Sequence, residues 1–185
     1  GLGGDLNYLK SINTFRYFQK IFWDVVWRNN LVYGTLQSQS GGEPPFSERF
    51  LLGGAFSLRG YPAYSVGRHV YSQKRFDYLT DPSGTLKWDP EIAKRAANRA
   101  FGGKQQLYYM TELEFPLIND AGIKGAVFFD IGQAEDALTS SEFYSDVGFG
   151  IRWFSPIGAL RFEWGFPLNR NPDRHPPMNF EFMIG

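Results

Sequence analysis

Glu112 and Glu114, two residues apart, are the carboxylates whose placement could serve acid–base chemistry. Side chains at i and i+2 of a strand point to the same side, so the two glutamates would share a face and could act as a proton-sharing pair. Neither a histidine nor a nucleophile accompanies them in the pattern, and a polar wall lined by carboxylates accounts for them better. Ser57 lacks the G-x-S-x-G context of a nucleophile elbow. His69 and His175 fall in separate polar stretches, with no carboxylates at metal-ligand spacing, and read as surface histidines. Gly53-Gly54-Ala55 does not join a strand to a helix, as a phosphate loop must. Lys94, Arg95 and Arg99 read as a solvated helix face, and Asp5, Asp120 and Asp173 as turn residues. What remains is Arg59. Its guanidinium is planar and permanently charged, with a fork of donors suited to two-pronged pairing with a carboxylate. Gly60 lets the backbone beside it turn tightly or approach a wall, and Gly53-Gly54 gives the same freedom a few residues earlier. These residues lead to the expectation of no catalytic group, no cofactor and no metal site.

Arg59 and the carboxylates need a scaffold, and the composition narrows which kind. Aromatic residues make up 18% of the 185 (18 Phe, 10 Tyr, 5 Trp), with 21 Gly and no Cys. Lys and Arg number 19 and so do Asp and Glu, so no basic excess points to nucleic acid. Without cysteine there is neither a disulfide framework nor a thiolate metal site. Mean hydropathy is −0.33, and no apolar run reaches the ~18 residues of a transmembrane helix. Neither fact argues against a transmembrane β-barrel, whose lipid-facing and lumen-facing residues alternate and average out. The chain opens on Gly1 without Met or a signal peptide, and reads as a piece of a longer or processed protein.

Alternation recurs with one sense. In 21–37, Ile21, Trp23, Val25, Trp27, Leu31 and Tyr33 oppose Asp24, Arg28, Asn30 and Gly34. In 104–118, Leu107, Tyr109, Leu113, Phe115 and Leu117 oppose Lys104, Gln106, Glu112 and Glu114. In 122–132, Val127, Phe129 and Ile131 oppose Lys124 and Asp130. The same holds in 144–155, where Val147, Phe149, Ile151 and Trp153 oppose Asp146 and Arg152, and in 159–168, where Phe162, Trp164 and Phe166 oppose Arg161 and Glu163. In 178–185, Phe180, Phe182 and Ile184 oppose Glu181 and Gly185. Residues 6–18 read as a further strand whose two faces are hard to tell apart. Short connections at Gln19-Lys20, Asn119-Asp120-Ala121 and Ser155-Pro156-Ile157-Gly158 alternate with long ones at 38–103, 133–143 and 169–177, as in an outer-membrane barrel. A soluble sandwich also alternates, but needs a second sheet over its apolar face. In the long segment 38–103, Asp89-Pro90-Glu91 reads as cap, first-turn proline and first-turn acid of a short helix running to about Ala100.

Glu48-Arg49-Phe50-Leu51-Leu52-Gly53-Gly54, followed by Phe56-Ser57-Leu58-Arg59-Gly60-Tyr61-Pro62, resembles the signature loop of the BamA-type outer-membrane assembly factors. The resemblance continues through Glu112-Leu113-Glu114-Phe115, Phe128-Phe129-Asp130-Ile131-Gly132, Gly148 to Gly158, and Phe180 to Gly185. It implies an all-β fold, the C-terminal half of a roughly sixteen-stranded transmembrane antiparallel barrel with a long inward-folded loop. It also implies an integral protein of the bacterial outer membrane. Residues 1–185 would form a single partial barrel domain, with the POTRA domains and first strands outside it. The loop signature is carried by Gly53, Gly54, Leu58, Arg59, Gly60 and Tyr61. Glu114 and Asp130 match the family's inner-wall carboxylates and become the expected lumen partners of Arg59, and the alternation independently points both inward. That pairing either staples the loop or takes a direct part in the mechanism. The expected work is non-covalent insertion of β-barrel proteins, with unfolded barrel clients, accessory assembly lipoproteins and outer-membrane lipid as partners and no nucleic acid. The last strand, with Phe180, Phe182 and Gly185, is the expected working seam. A polypeptide secretion pore of the two-partner type and a passive barrel are the rival readings.

Overall fold

The computed structural model of the chain describes residues 7–39, 41–83, 88–140, 143–155 and 158–184. The alternating segments become long strands: β1 (Tyr8–Lys20), β2 (Val26–Ser38), β5 (Gln105–Ile118), β6 (Ile123–Glu135), β7 (Tyr144–Ser155), β8 (Gly158–Pro167) and β9 (Asn179–Ile184). They form one antiparallel sheet in chain order, β1-β2-β5-β6-β7-β8-β9. Among the described residues β1 and β9 are its two open edges, so the barrel is not closed here. Gly185, expected to end the last strand, lies outside the described residues, as do Asp5, Pro156, Ile157 and the side chain of Arg95.

Burial decides between barrel wall and sandwich. Leu31, Tyr33, Leu113, Val127, Val147, Phe149, Ile151, Trp153, Phe166, Phe180 and Phe182 are exposed, while Glu112, Glu114, Asp130, Asp146, Arg152 and Glu163 are buried on the opposite face. This inverts the rule for soluble proteins. No second sheet covers the apolar face among the described residues, and such a belt belongs in lipid. Cross-strand aromatic pairs reinforce it. Trp164 packs on Phe149 at 5.3 Å and on Phe180 at 5.2 Å, and Phe162 packs on Phe182 at 5.0 Å. Pairs of this kind contribute about 0.2–1 kcal/mol each. Among the described residues, no helix is long and apolar enough to cross a membrane.

One turn differs from the sequence expectation. The break falls at residues 21–25 rather than at Gln19-Lys20. The Ile21 N–H donates to the Val25 carbonyl at 2.9 Å and the Val25 N–H to the Phe22 carbonyl at 2.8 Å. Trp23 and Asp24 take left-handed backbone (φ 46° and 63°), and Asp24 pairs with Lys20. The apolar spacing of Ile21, Trp23 and Val25 continues the strand pattern through the turn, which is why alternation alone misplaced it.

The long connection is folded. It carries a 3₁₀ turn (Phe46–Glu48), a hairpin of β3 (His69–Tyr71) with β4 (Asn98–Ala100), and helices α1 (Gln73–Thr80) and α2 (Pro90–Ala97). The expected helix thus stops at Ala97, because the next three residues pair with β3. Asp89 accepts from the Glu91 N–H at 2.9 Å, as its capping role requires. The unexpected α1 is capped by Ser72, which accepts from the Arg75 N–H. The connection is held against the lumen face of the sheet by a core of Phe50, Leu52, Leu58, Tyr61 and Val66 on Leu36 and Ala134. Full burial of a Leu- or Val-sized side chain contributes about 1.5–3 kcal/mol, which anchors an otherwise polar segment.

Candidate functional site

The site is built where residues 53–62 meet the inner wall. Gly53 and Gly54 have φ of 105° and 84°, a region open to glycine at little cost. The Gly54 N–H lies 2.8 Å from the Tyr61 carbonyl and 3.1 Å from that of Leu58. The Ser57 hydroxyl accepts from the Gly53 N–H at 2.8 Å, so this serine pins the turn. Leu58 and Tyr61 are fully buried.

That fold drives Arg59 into the wall, where it is 2% exposed. Nε donates to Asp130 Oδ2 and Nη2 to Asp130 Oδ1, both at 2.8 Å, and the Arg59 backbone N–H adds a third bond to Oδ2 at 3.2 Å. Nη1 donates to Glu112 Oε2 at 2.6 Å and sits 3.6 Å from Glu163 Oε1. The guanidinium lies 3.6 Å from the centroid of the Phe128 ring, a stacked cation–π contact.

Glu114, expected as a partner of Arg59, is not one among its described contacts. It pairs with Arg152 at 2.6 Å, Lys124 at 2.9 Å and Arg28 at 3.1 Å. The reason is register. Asp130 sits opposite Met110 on β5, so Glu112 is one pleat repeat away and Glu114 a further ~7 Å along the strand. The period-2 pattern put both glutamates on the correct face but could not rank them. Arg152 forms a second hub, bonding Glu112 and Glu114 at 2.6 Å and Glu163 at 3.1 Å, while Arg161 holds Glu163 at 2.6 Å. Asp146, register partner of Asp130, is fully buried, with Gly60 of the loop packed against it.

Two further contacts escape sequence inspection. Gly60 rests on Gly165 of β8: a Cβ on Gly165 would lie 2.6 Å from the Gly60 Cα and N, and one on Gly60 would lie 2.4 Å from the Asp146 Cβ. Asn179, first residue of β9, places Nδ2 2.9 Å from the Arg59 carbonyl and 3.1 Å from that of Tyr61. The expected seam strand therefore touches the loop through Asn179, whereas Phe180 and Phe182 face outward and stay exposed. An amide at an inward strand position was the available signal.

The Tyr61 hydroxyl lies 3.0 Å from both the Ser145 carbonyl and Asn169 Oδ1. Its ring meets His175 edge-on at 4.9 Å. The surface assignment of the histidines does not hold. His175 is fully buried with Nε2 3.2 Å from the Ser65 carbonyl, and His69 is partly buried. Burial lowers the pKa of both, that of His69 to about 4 with Arg174 contributing. The loops fold over them because the β8–β9 connection closes onto residues 65–69. Among the described residues, no group of acidic and imidazole side chains is arranged to hold a metal ion.

The Omp85 superfamily domain model matches residues 1–185. The chain belongs to the Omp85 superfamily. It is 29% identical over 192 residues to the outer membrane protein assembly factor BamA of Nitratidesulfovibrio vulgaris, a match covering 100% of this chain and 21% of that protein. BamA of Neisseria meningitidis serogroup B is 24% identical over 173 residues (77% of this chain, 19% of that protein). A sorting and assembly machinery component 50 homolog B of Xenopus laevis is 34% identical over 77 residues (42% and 16%). Among solved structures, BamA from Haemophilus ducreyi lacking POTRA domains 1-3 superposes with a TM-score of 0.72 at 19% identity, covering 97% of this chain and 35% of that one. That likeness shows a shared fold. The chain spans about a fifth of the length of the two BamA relatives.

Proposed function

We propose that this Omp85 chain is the C-terminal portion of the barrel of an integral bacterial outer-membrane assembly factor, and that it inserts β-barrel clients without covalent chemistry. The observation that carries this reading is the tie between the open edge strand and the lumen loop. Asn179 on β9 holds the backbone of Arg59 and Tyr61, while Arg59 holds the wall. In lipid an unpaired backbone group costs several kcal/mol, so a nascent barrel strand needs a paired edge on which to grow. β9 offers such an edge. Among the described residues it pairs with β8 over Asn179–Ile184, and Pro176-Pro177 before it cannot donate ladder bonds. A client strand adding there by β-augmentation would gain main-chain hydrogen bonds. The assembly function named for the BamA relatives favours this over a two-partner secretion pore or a passive barrel. Resemblance to the family adds accessory assembly lipoproteins to the partners, and the apolar belt adds outer-membrane lipid. A cysteine at Met183, paired with one on the strand that faces it in the full-length protein, tests the mechanism. Oxidation should stop client insertion and reduction should restore it. Normal insertion with the seam locked would rule out templating at β9.

A further inference from the structure

At the long-loop end of the sheet, the β8–β9 connection, the end of β6, the start of β7 and residues 67–69 enclose a pocket of about 650 Å³. Its charged lining among the described residues is Arg68, Arg170 and Arg174 with Glu135. Arg68 is engaged, with Nη1 2.5 Å from Asp136 Oδ2. Arg170 and Arg174 form no ion pair among the described residues. Arg170 donates from Nη1 only to the His175 carbonyl, at 3.3 Å, and the Arg174 Nε is buried without a partner. His69 also lines the pocket, with the ring of His175 6.2 Å away. Burial and then the charge of Arg174 hold His69 neutral at pH 7, and His175 is lowered for the same two reasons, with a hydrogen bond to Ser65 opposing them. Among the described residues the arginines of this lining thus outnumber its one carboxylate, Glu135.

We propose that this pocket is a binding site for a phosphomonoester dianion, with Arg170 and Arg174 as its principal ligands. The planar fork of arginine fits two phosphate oxygens at once. Two such forks offer more donors than the two oxygens of one carboxylate can pair with bidentately, whereas a phosphomonoester has three terminal oxygens. The pocket lies at the long-loop end of the strands, so the phosphate could come from solution or from a lipid headgroup. In full-length protein in phosphatidylcholine nanodiscs, inorganic phosphate is titrated while the His69 and His175 ring resonances are followed by NMR, and a second series uses nanodiscs containing phosphatidic acid. Saturable shifts are expected, with the His69 titration midpoint moving upward because a bound anion screens Arg174. The joint variant Arg170→Gln, Arg174→Gln should abolish them, and Arg174→Lys, which keeps the charge, should weaken but retain them. A response to inorganic phosphate assigns the free ion as a ligand, and a response to phosphatidic acid alone assigns a headgroup. No shift in either series from protein with native circular dichroism, or full shifts in the double glutamine variant, would overturn the site.

Discussion

Replacing Asn179 with alanine should loosen the lumen loop without removing a charged side chain, though its Nδ2 also donates to Glu181 Oε1 at 2.9 Å. Asn179 Nδ2 reaches the Arg59 and Tyr61 carbonyls at 2.9 and 3.1 Å. A hydrogen bond nets about 0.5–1.5 kcal/mol, so losing both costs about 1–3 kcal/mol. The Arg59 clamp remains, and breaking a buried ion pair of that kind costs about 3–5 kcal/mol. The loop should therefore stay in the lumen and open more often, by about 5–150-fold for a loss of that size. Hydrogen exchange in the full-length protein measures this directly. The Tyr61 N–H donates to the Leu58 carbonyl and the Arg59 N–H to Asp130, so both amides are protected only while the loop is seated. Asn179→Ala should speed both within that range. Phe180→Ala, on the lipid face of the same strand, should not. Locking the seam at Met183 should slow exchange in the parent but not in Asn179→Ala. Unchanged exchange in Asn179→Ala would refute the tie. An equal rise in Phe180→Ala would show that general loosening of β9, and not the amide, is responsible.

Arg59→Ala should release residues 56–62 to protease and reduce client assembly. In double-mutant cycles with Arg59, Asp130→Asn should couple most strongly, Glu112→Gln next and Glu114→Gln least, by about 0.5–3 kcal/mol for contacting pairs; coupling strongest at Glu114 would contradict the register argument. Gly165→Ala should cost about 1–3 kcal/mol by overpacking against Gly60, read as lowered thermal stability and loop protection, and an unchanged melting curve would mean the loop does not rest on β8. Lipid-attached quenchers should dim Trp27, Trp153 and Trp164, which point outward from the sheet, while aqueous iodide should reach Trp88 in the connection. Iodide quenching Trp153 as well as it quenches Trp88 would place the apolar face in water.

What was legible in the sequence is what a strand encodes locally. Alternation separates Phe149, Ile151 and Trp153 from Asp146 and Arg152 because each side chain's face depends only on its own position. It was uninformative in β1, where Ile12 and Phe18 share the lumen side with Arg16 while Phe15 and Tyr17 face out, so both sides carry apolar residues. It misplaced the first turn because Trp23 keeps the apolar period while its backbone leaves the strand. The helix α1 went unseen because Gln73–Thr80 has little apolar periodicity beyond Phe76 and Leu79, and its cap, Ser72, is a residue equally common in loops.

The site itself depends on quantities that no single segment carries. Which glutamate meets Arg59 follows from the stagger between β5 and β6 and from how deep Gly53 and Gly54 let the loop descend. Arg59 could be singled out from its type and neighbours, and Asp130 from its face, but Glu112, Phe128, Gly165 and Asn179 enter through depth and register. This matters for how the clamp should behave. A buried arginine shared among Asp130, Glu112 and Glu163 is a poor source of net stability, since desolvating those charges offsets much of their attraction. It is a strong determinant of position, because moving the guanidinium by one pleat would strand Asp130 without a cation. The apolar contacts of Leu52, Leu58 and Val66 are non-directional and hold the loop in the lumen at almost any rotation. Arg59 sets one seat on the wall, and Asn179 makes that seat sensitive to the strand at the open edge.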